Sequence, residues 1–158
     1  MNSRALAEEC LRRAERYLRE ARNAYAEGDF PTTIRRSQET VELPVKAALR
    51  LLGIEYPRKH DVSDVLDQIV GLEALPGYFR EAVPFVQEVV RRLAMVRGIA
   101  VYGDEETLTQ PSRIFKGEDA LRSVERAERV LDVCRRLFND WGGEKEGRLL
   151  LLLLLGSR

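Results

Sequence analysis

The sequence predicts an all-α protein, an up-and-down bundle of four or five helices with no sheet. Three observations carry this. Every apolar pattern long enough to judge recurs in steps of three and four residues, which is one face of a helix. The breaks between these patterns fall at Gly, Pro and Asp, the residues that stop and cap helices. And 158 residues give one sizeable core but not two, with an apolar fraction of 44% and a charged fraction of 33% that exclude a disordered chain.

The first helix runs from about Ser3 to Ala26, with Leu6, Cys10, Ala14, Tyr17, Ala21 and Ala24 on one face and Leu11, Leu18 and Tyr25 widening it. Gly28 stops it, Asp29 caps the next helix and Pro31 sits in its first turn, so the two form an antiparallel hairpin. The second helix, Phe30 to about Leu52, carries Ile34, Ser37, Val41, Val45, Ala48 and Leu52, with Gln38 and Glu42 bordering the stripe. Pro44 removes one backbone donor and predicts a kink. After the connection GIEYPRKHD, Asp61 reads as the N-cap of a short helix bearing Val62, Val65, Leu66 and Ile69. The helical pattern returns from about Tyr78 as Phe79, Val83, Val86, Val90 and Leu93, with Pro84 as a kink or the true start. Gly103 to Gly117 reads as a polar loop of fifteen residues, long enough to be functional or mobile. The last helix, Glu118 to about Trp141, has the most regular seam: Ala120, Val124, Ala127, Leu131, Cys134, Phe138 and Trp141. Residues 1–141 are thus expected to form the bundle, and 142–158 a Gly/Glu/Lys linker and leucine-rich tail. The seven leucines from Leu149 to Leu155 would cover only about 10 Å as a helix, a third of a bilayer core.

The 26 cations and 26 acids cancel, and 22 of the cations are Arg. No global attraction to nucleic acid or an anionic membrane results, so any such contact must be a local basic patch. The start MNSRALAEEC has acids where a leader would have an apolar core, and no membrane span is long enough. Cys10 and Cys134 are far apart and lack a CxxC partner or His neighbour, so both are expected to be reduced, buried and structural in a cytoplasmic protein. Neither a metal site nor a cofactor is expected.

Phosphate loops, GxSxG and HExxH are missing, and His60 is the sole histidine. Beside Asp61, it reads most simply as a helix-start residue held by local hydrogen bonds. Arg97 is different: counting on from Val86, Val90 and Leu93 by fours and threes, it falls on the packed face. A cation there is costly unless it is paired or lines an opening. It is an ion-pair partner of a neighbouring helix, a stem lying along the core with its head in water, or an anion site, with Gly98 allowing close approach and Tyr102 and Asp104 at the mouth of the loop.

The runs RRAERYLREARNAYAEGDFPTTIRRSQETVELPVKAALRLLGIEYPRKHDVSDVL, RLAMVRGIAVYGDEE and EDALRSVERAERVLDVC together resemble the HEPN domain (higher eukaryotes and prokaryotes nucleotide-binding). The most specific parts are the GDF start of the second helix, SQETVELPVKAAL, HDV after a proline and the RxxxxY element, spread over about Ala5 to Cys134. The resemblance implies a bundle that commonly dimerises and is often paired genetically with a minimal nucleotidyltransferase in toxin–antitoxin modules. It also implies, for catalytic members, a metal-independent ribonuclease whose Arg is followed a few residues later by His, two copies meeting in a cleft at the dimer interface. Arg97 matches that Arg, but Tyr102 stands where the His would fall. His60 and Asp61 match the family's HD pair, which is not the nuclease motif.

Three readings are open. The first is a non-catalytic nucleotide- or RNA-binding homodimer, with Arg97, Tyr102 and Asp104 as ligand residues and His60 and Asp61 as secondary candidates. The second is a metal-independent ribonuclease in which Tyr102 replaces the His, with Arg97 and Tyr102 catalytic. The third is a helical interaction module in which Arg97 is an ion pair. The second ranks last because a Tyr with a pKa of about 10 is a poor general base at neutral pH; RNA cleavage is expected to be slow or absent. A homodimer is expected because the chain has more apolar faces than one small bundle covers.

Overall fold

The structure, a computed structural model, describes residues 3–141. It is all-helical: α1 (Ser3–Ala26), α2 (Phe30–Leu51), a 3₁₀ segment (Ser63–Gln68), α3 (Gly77–Tyr102), the single turn α4 (Pro111–Ile114) and α5 (Gly117–Asp140). The proposed boundary at 142 and the leucine run lie outside the described residues.

The α1–α2 hairpin forms as the sequence predicts. Gly28 takes φ +76° and Asp29 accepts a hydrogen bond from the Thr32 amide at 3.2 Å, satisfying one of the orphan donors of the helix start. The widened stripe expected for α1 is the buried one at Leu11, Ala14, Leu18, Ala21 and Ala24, with Ala7 added, Leu6 exposed and Tyr17 half-buried at its border. The alanines at 7, 14 and 21 are fully buried, and small side chains two turns apart let α1 approach α2 closely. Cys10 is accordingly half-buried rather than buried, whereas Cys134 is fully enclosed and its thiol is pushed up to about 12 by burial.

Helix α2 packs against α1, α3 and α5 and is the central element. It continues through the buried Pro44. Helix α3 likewise begins at Gly77 and runs through Pro84. Before α3, Asp61 does terminate the connection, accepting from the Ser63 amide at 2.9 Å, but the chain then enters a 3₁₀ segment. Gln87 of α3 ties that segment down, donating to the Ser63 carbonyl and to Asp67.

The stretch from Gly103 to Gly117 is less open than a fifteen-residue loop. Asp104 and Thr109 exchange backbone hydrogen bonds across a tight turn, and Pro111 then opens α4 at the position proline favours. In α5 all seven residues of the expected seam are buried, and Trp141 is among the largest fully enclosed side chains. Among the described residues no helix is long and apolar enough to cross a membrane.

Gly103 ends α3 at φ +79° and ψ −167°, a region only glycine occupies readily, and a Cβ there would overlap the Thr109 carbonyl oxygen. Gly103→Ala should therefore cost about 1–3 kcal/mol. Urea denaturation should report it as a lower midpoint with unchanged slope; an unchanged midpoint would contradict the turn geometry.

Candidate functional site

One face of α2 presents Gln38, Glu42 and Lys46 one turn apart, a spacing that brings side chains together. Glu42 is the hub. Its Oε1 accepts from Lys46 Nζ at 2.7 Å and its Oε2 from Gln38 Nε2 at 2.6 Å. His60 reaches back from the connection after α2, with Nδ1 2.8 Å from the same Oε2. Burial pushes the Glu42 carboxyl up, but the hydrogen bonds from Lys46, Gln38 and His60 together outweigh it and hold the group below the ordinary carboxylate range. Glu42 is thus an anion at neutral pH. Because a carboxylate only accepts, Nδ1 carries the proton, and Nε2 of a neutral His60 is left as an acceptor with no partner among the described residues.

Arg97 enters the same place from α3. It lines a pocket of about 180 Å³ with Gln38, Glu42 and His60, and with Arg13 and Tyr17 of α1. No ion pair joins Arg97 to a described carboxylate, and its buried Nε has no hydrogen-bond partner. Gln38 is 2% exposed; its amide nitrogen donates to Glu42 and its Oε1 is also unpartnered. Both unpartnered atoms are enclosed by the protein itself, so a guest in the pocket meets the rest of the Arg97 guanidinium. The pocket suits a guest that brings an anionic oxygen for Arg97 and a hydroxyl for His60 Nε2.

The structure brings Arg97 and His60 together but separates them from Tyr102 and Asp104. At about 100° per residue, Met95, Ile99 and Tyr102 share one face of α3, and Arg97 lies roughly half a turn away. Tyr102 is 74% exposed. Asp104 is occupied in its own turn, accepting from the amides of Glu106 and Thr107; the Thr107 side chain first, then the Thr107 and Glu106 amides, lower its carboxyl pKa. Together with Gly98 and Ile99 these two residues border a shallow depression of their own. Asp61, next to His60, is engaged with Ser63 and does not line the Arg97 pocket.

The sequence pattern places no imidazole near Arg97, because the motif it resembles puts one a few residues downstream; the structure supplies His60 from the other side of the pocket. The pattern also leaves Glu42 and Gln38 as mere borders of an apolar stripe, and gives no site role to Arg13 or Tyr17. A signal is present in part: Gln38, Glu42 and Lys46 form a polar ladder along a helix whose other positions are mostly buried.

Comparison with known proteins gives a consistent family. The model described as "HEPN domain" matches residues 7–137. "Putative toxin MJ1304" of Methanocaldococcus jannaschii is 29% identical over 140 residues, which cover 86% of this chain and 90% of that protein. The crystal structure of ST0689, described as an archaeal HEPN homologue, matches with a TM-score of 0.63 at 25% identity, covering 84% of this chain and 97% of that one.

The depressed pKa of Glu42 fixes a pH dependence. Above its ordinary value of 4.5 the carboxylate is ionised folded or unfolded, and its network contributes in full. As pH falls below 4.5 toward the lower folded-state value, the unfolded chain takes up the proton first and that contribution is lost. Denaturation midpoints should fall over this acid window in the wild type and fall less steeply in Glu42→Gln. Identical slopes in the two proteins would contradict the network.

Proposed function

The chain belongs to the HEPN family, whose model spans residues 7–137, and from that premise we propose that it is a nucleotide- or RNA-binding homodimer whose ligand site is the Arg97 pocket. The observation that carries this reading is the Arg97 guanidinium, which lines the pocket and makes no ion pair with a described carboxylate. A guanidinium suits a phosphate oxygen, and His60 Nε2 offers an acceptor to a neighbouring sugar hydroxyl. A ribonucleotide offers both within one sugar–phosphate unit. Arg13 adds a second guanidinium at the same pocket; of the two acids there, Glu42 is offset by Lys46 and Glu39 by Arg36 at 2.7 Å.

The dimer is supported by a separate surface. Met95, Ile99, Tyr102 and Leu108 are exposed large apolar side chains on α3 and its turn. An isologous pair is the commonest way to cover such a patch. On this reading Tyr102 and the neighbouring Asp104 belong to a contact surface beside the ligand pocket. The proposed protein partner is a minimal nucleotidyltransferase, the pairing implied by the family. A relative named as a putative toxin fits a toxin–antitoxin pair.

A second reading, metal-independent RNA cleavage, is favoured by one observation: an imidazole oriented by a carboxylate lines the pocket of Arg97. His60 Nε2 would take the proton from a ribose 2′-hydroxyl as that oxygen attacks phosphorus. The 5′-oxygen would leave and be protonated by solvent, with Arg97 neutralising the phosphorane charge. Tyr102 has no part in this scheme. The ion pair that the interaction-module reading assigned to Arg97 is not among the described residues; the leucine tail on which that reading also draws lies outside them.

Fluorescence anisotropy with a short oligoribonucleotide tests the site. Arg97→Ala should weaken binding by about 1.5–3 kcal/mol, the range for a hydrogen-bonded charge, and the oligodeoxyribonucleotide should bind less tightly than the ribose form. Tyr102→Phe should change binding little. Unchanged affinity in a folded Arg97→Ala protein would refute the assignment. Cleavage that is lost in His60→Ala but kept in Tyr102→Phe would establish the second reading. Independently, Met95→Asp combined with Ile99→Asp should convert the dimer to a monomer in light scattering; a monomeric wild type at micromolar concentration would refute the dimer.

A further inference from the structure

A second enclosed space lies on the other side of α3, between it, α4 and α5, and shares no residue with the Arg97 pocket. Its volume is about 220 Å³. The floor is core: Ile34, Val89 and Leu93 are all nearly fully buried, and Phe115 is 9% exposed. The single turn α4 supplies an outer wall through Ile114, held by Pro111 at its start and by the bond from the Phe115 amide to the Pro111 carbonyl. The rim is cationic. Arg92 and Arg122 are exposed there and have no partner among the described residues, whereas Arg126 is already bound to Glu88 at 3.1 Å. Asp119 also borders the space, with its carboxylate accepting from the Lys116 amide at 3.0 Å. With Arg126 neutralised, one net positive charge remains at the mouth.

These properties define a guest. The apolar floor offers nothing to a hydrated ion or bare phosphate, which would surrender water for no hydrogen bond. A nucleotide would leave the polar edges of its base and sugar unanswered on this apolar floor. An apolar cavity of about 150 Å³ stays dry and accepts benzene; this space is larger by a few atoms and carries its charge at one end. We propose that it is a binding site for a small aromatic monocarboxylate, the ring against Leu93, Val96 and Phe115 and the carboxylate toward Arg92 and Arg122. The site does not depend on the nucleotide reading and is physically separate from it. Because Val96 immediately precedes Arg97, both sites sit on the same turn of α3.

The probe is phenylacetate, titrated calorimetrically into the full chain, with neutral phenylacetamide as its isostere. Phenylacetate should saturate one site per chain, and phenylacetamide should bind at least about tenfold more weakly. Arg92→Gln with Arg122→Gln should reduce the acid to the level of the amide. Ser123→Phe, which fills the space from α5, should abolish binding while oligoribonucleotide binding stays as in the wild type. Ile114→Trp fills it from α4, outside the main bundle, and should do the same if circular dichroism shows that Ser123→Phe is misfolded. Equal affinity for acid and amide, persistence of binding in the filled variants, or no saturation at millimolar concentration would each overturn the proposal.

Discussion

Enclosure of α2 by α1, α3 and α5 decides where the polar groups of this bundle can go. A helix packed on three sides leaves only a narrow arc for solvent, occupied here by residues such as Arg35 and Arg50, so the polar residues outside that arc must find partners inside the bundle. Thr33, Ser37 and Thr40 do so locally, each donating its hydroxyl to the carbonyl four residues back at 2.8 Å. Gln38 and Glu42 are too long for that solution and too polar to be left alone. Glu42 gathers Lys46, Gln38 and His60, and in doing so fixes where the connection after α2 must lie. The pocket is a consequence of this arrangement. Arg97 enters it from α3, beside the Gln38 whose nitrogen is committed to Glu42.

The parts of the fold that are legible in the sequence are those set by local periodicity and punctuation. All seven positions of the expected α5 seam are buried, because one stripe of period three and four dominates that helix; Val130 and Leu137, beside the seam, are buried with it. In α1 the stripe through Ala14 and Ala21 holds, but it is centred on Ala7, Leu11 and Leu18 rather than on Leu6 and Tyr17. Close approach to α2 selects small residues, a preference that depends on the partner helix and is invisible in α1 alone. The same distinction governs the site. Arg97 stands out because a guanidinium breaks an apolar pattern. Its association with Tyr102 and Asp104 rests on nearness in sequence, which on a helix says little about direction: five residues on from Arg97 is the other side of α3. His60 and Glu42 are 18 residues apart, and their hydrogen bond is fixed only by the return of the chain after Gly53.

The balanced but arginine-rich composition also has a structural use. Arg22 pairs with Glu128, Arg135 with Glu15 at 2.8 Å and Arg36 with Glu20 at 2.8 Å, joining α1 to α5 twice and α1 to α2 once. These partners are partly exposed, and each pair contributes little to stability on its own. Their effect lies in specificity: the three pairs across helix boundaries favour the packing in which all of them are made. Arginines consumed in this way are not free to meet a ligand. Arg97 in one pocket and Arg92 and Arg122 at the mouth of another are among the guanidiniums that make no ion pair with a described carboxylate.

Helix α3 is where these threads meet, because its circumference is divided among unlike environments. Leu93 points into the core, with Arg97 displaced to one side toward α2 and Arg92 and Val96 to the other toward α4 and α5. Met95, Ile99 and Tyr102 occupy the opposite, solvent-facing arc. A helix transmits rotation and translation along its length far more readily than it deforms locally, since its backbone hydrogen bonds act together. A guest that wedges between Val96 and Phe115, a ligand drawn to Arg97 and a second copy seated on Met95 would therefore all bear on the same rigid rod. Each is sensitive to the same small displacement of the C-terminal turns of α3. The glycine at 103, whose conformation no other residue adopts without strain, and the closed turn from Asp104 to Thr109 anchor that end of the rod. The two pockets and the exposed apolar arc thus share one helix, whose end is fixed by that turn.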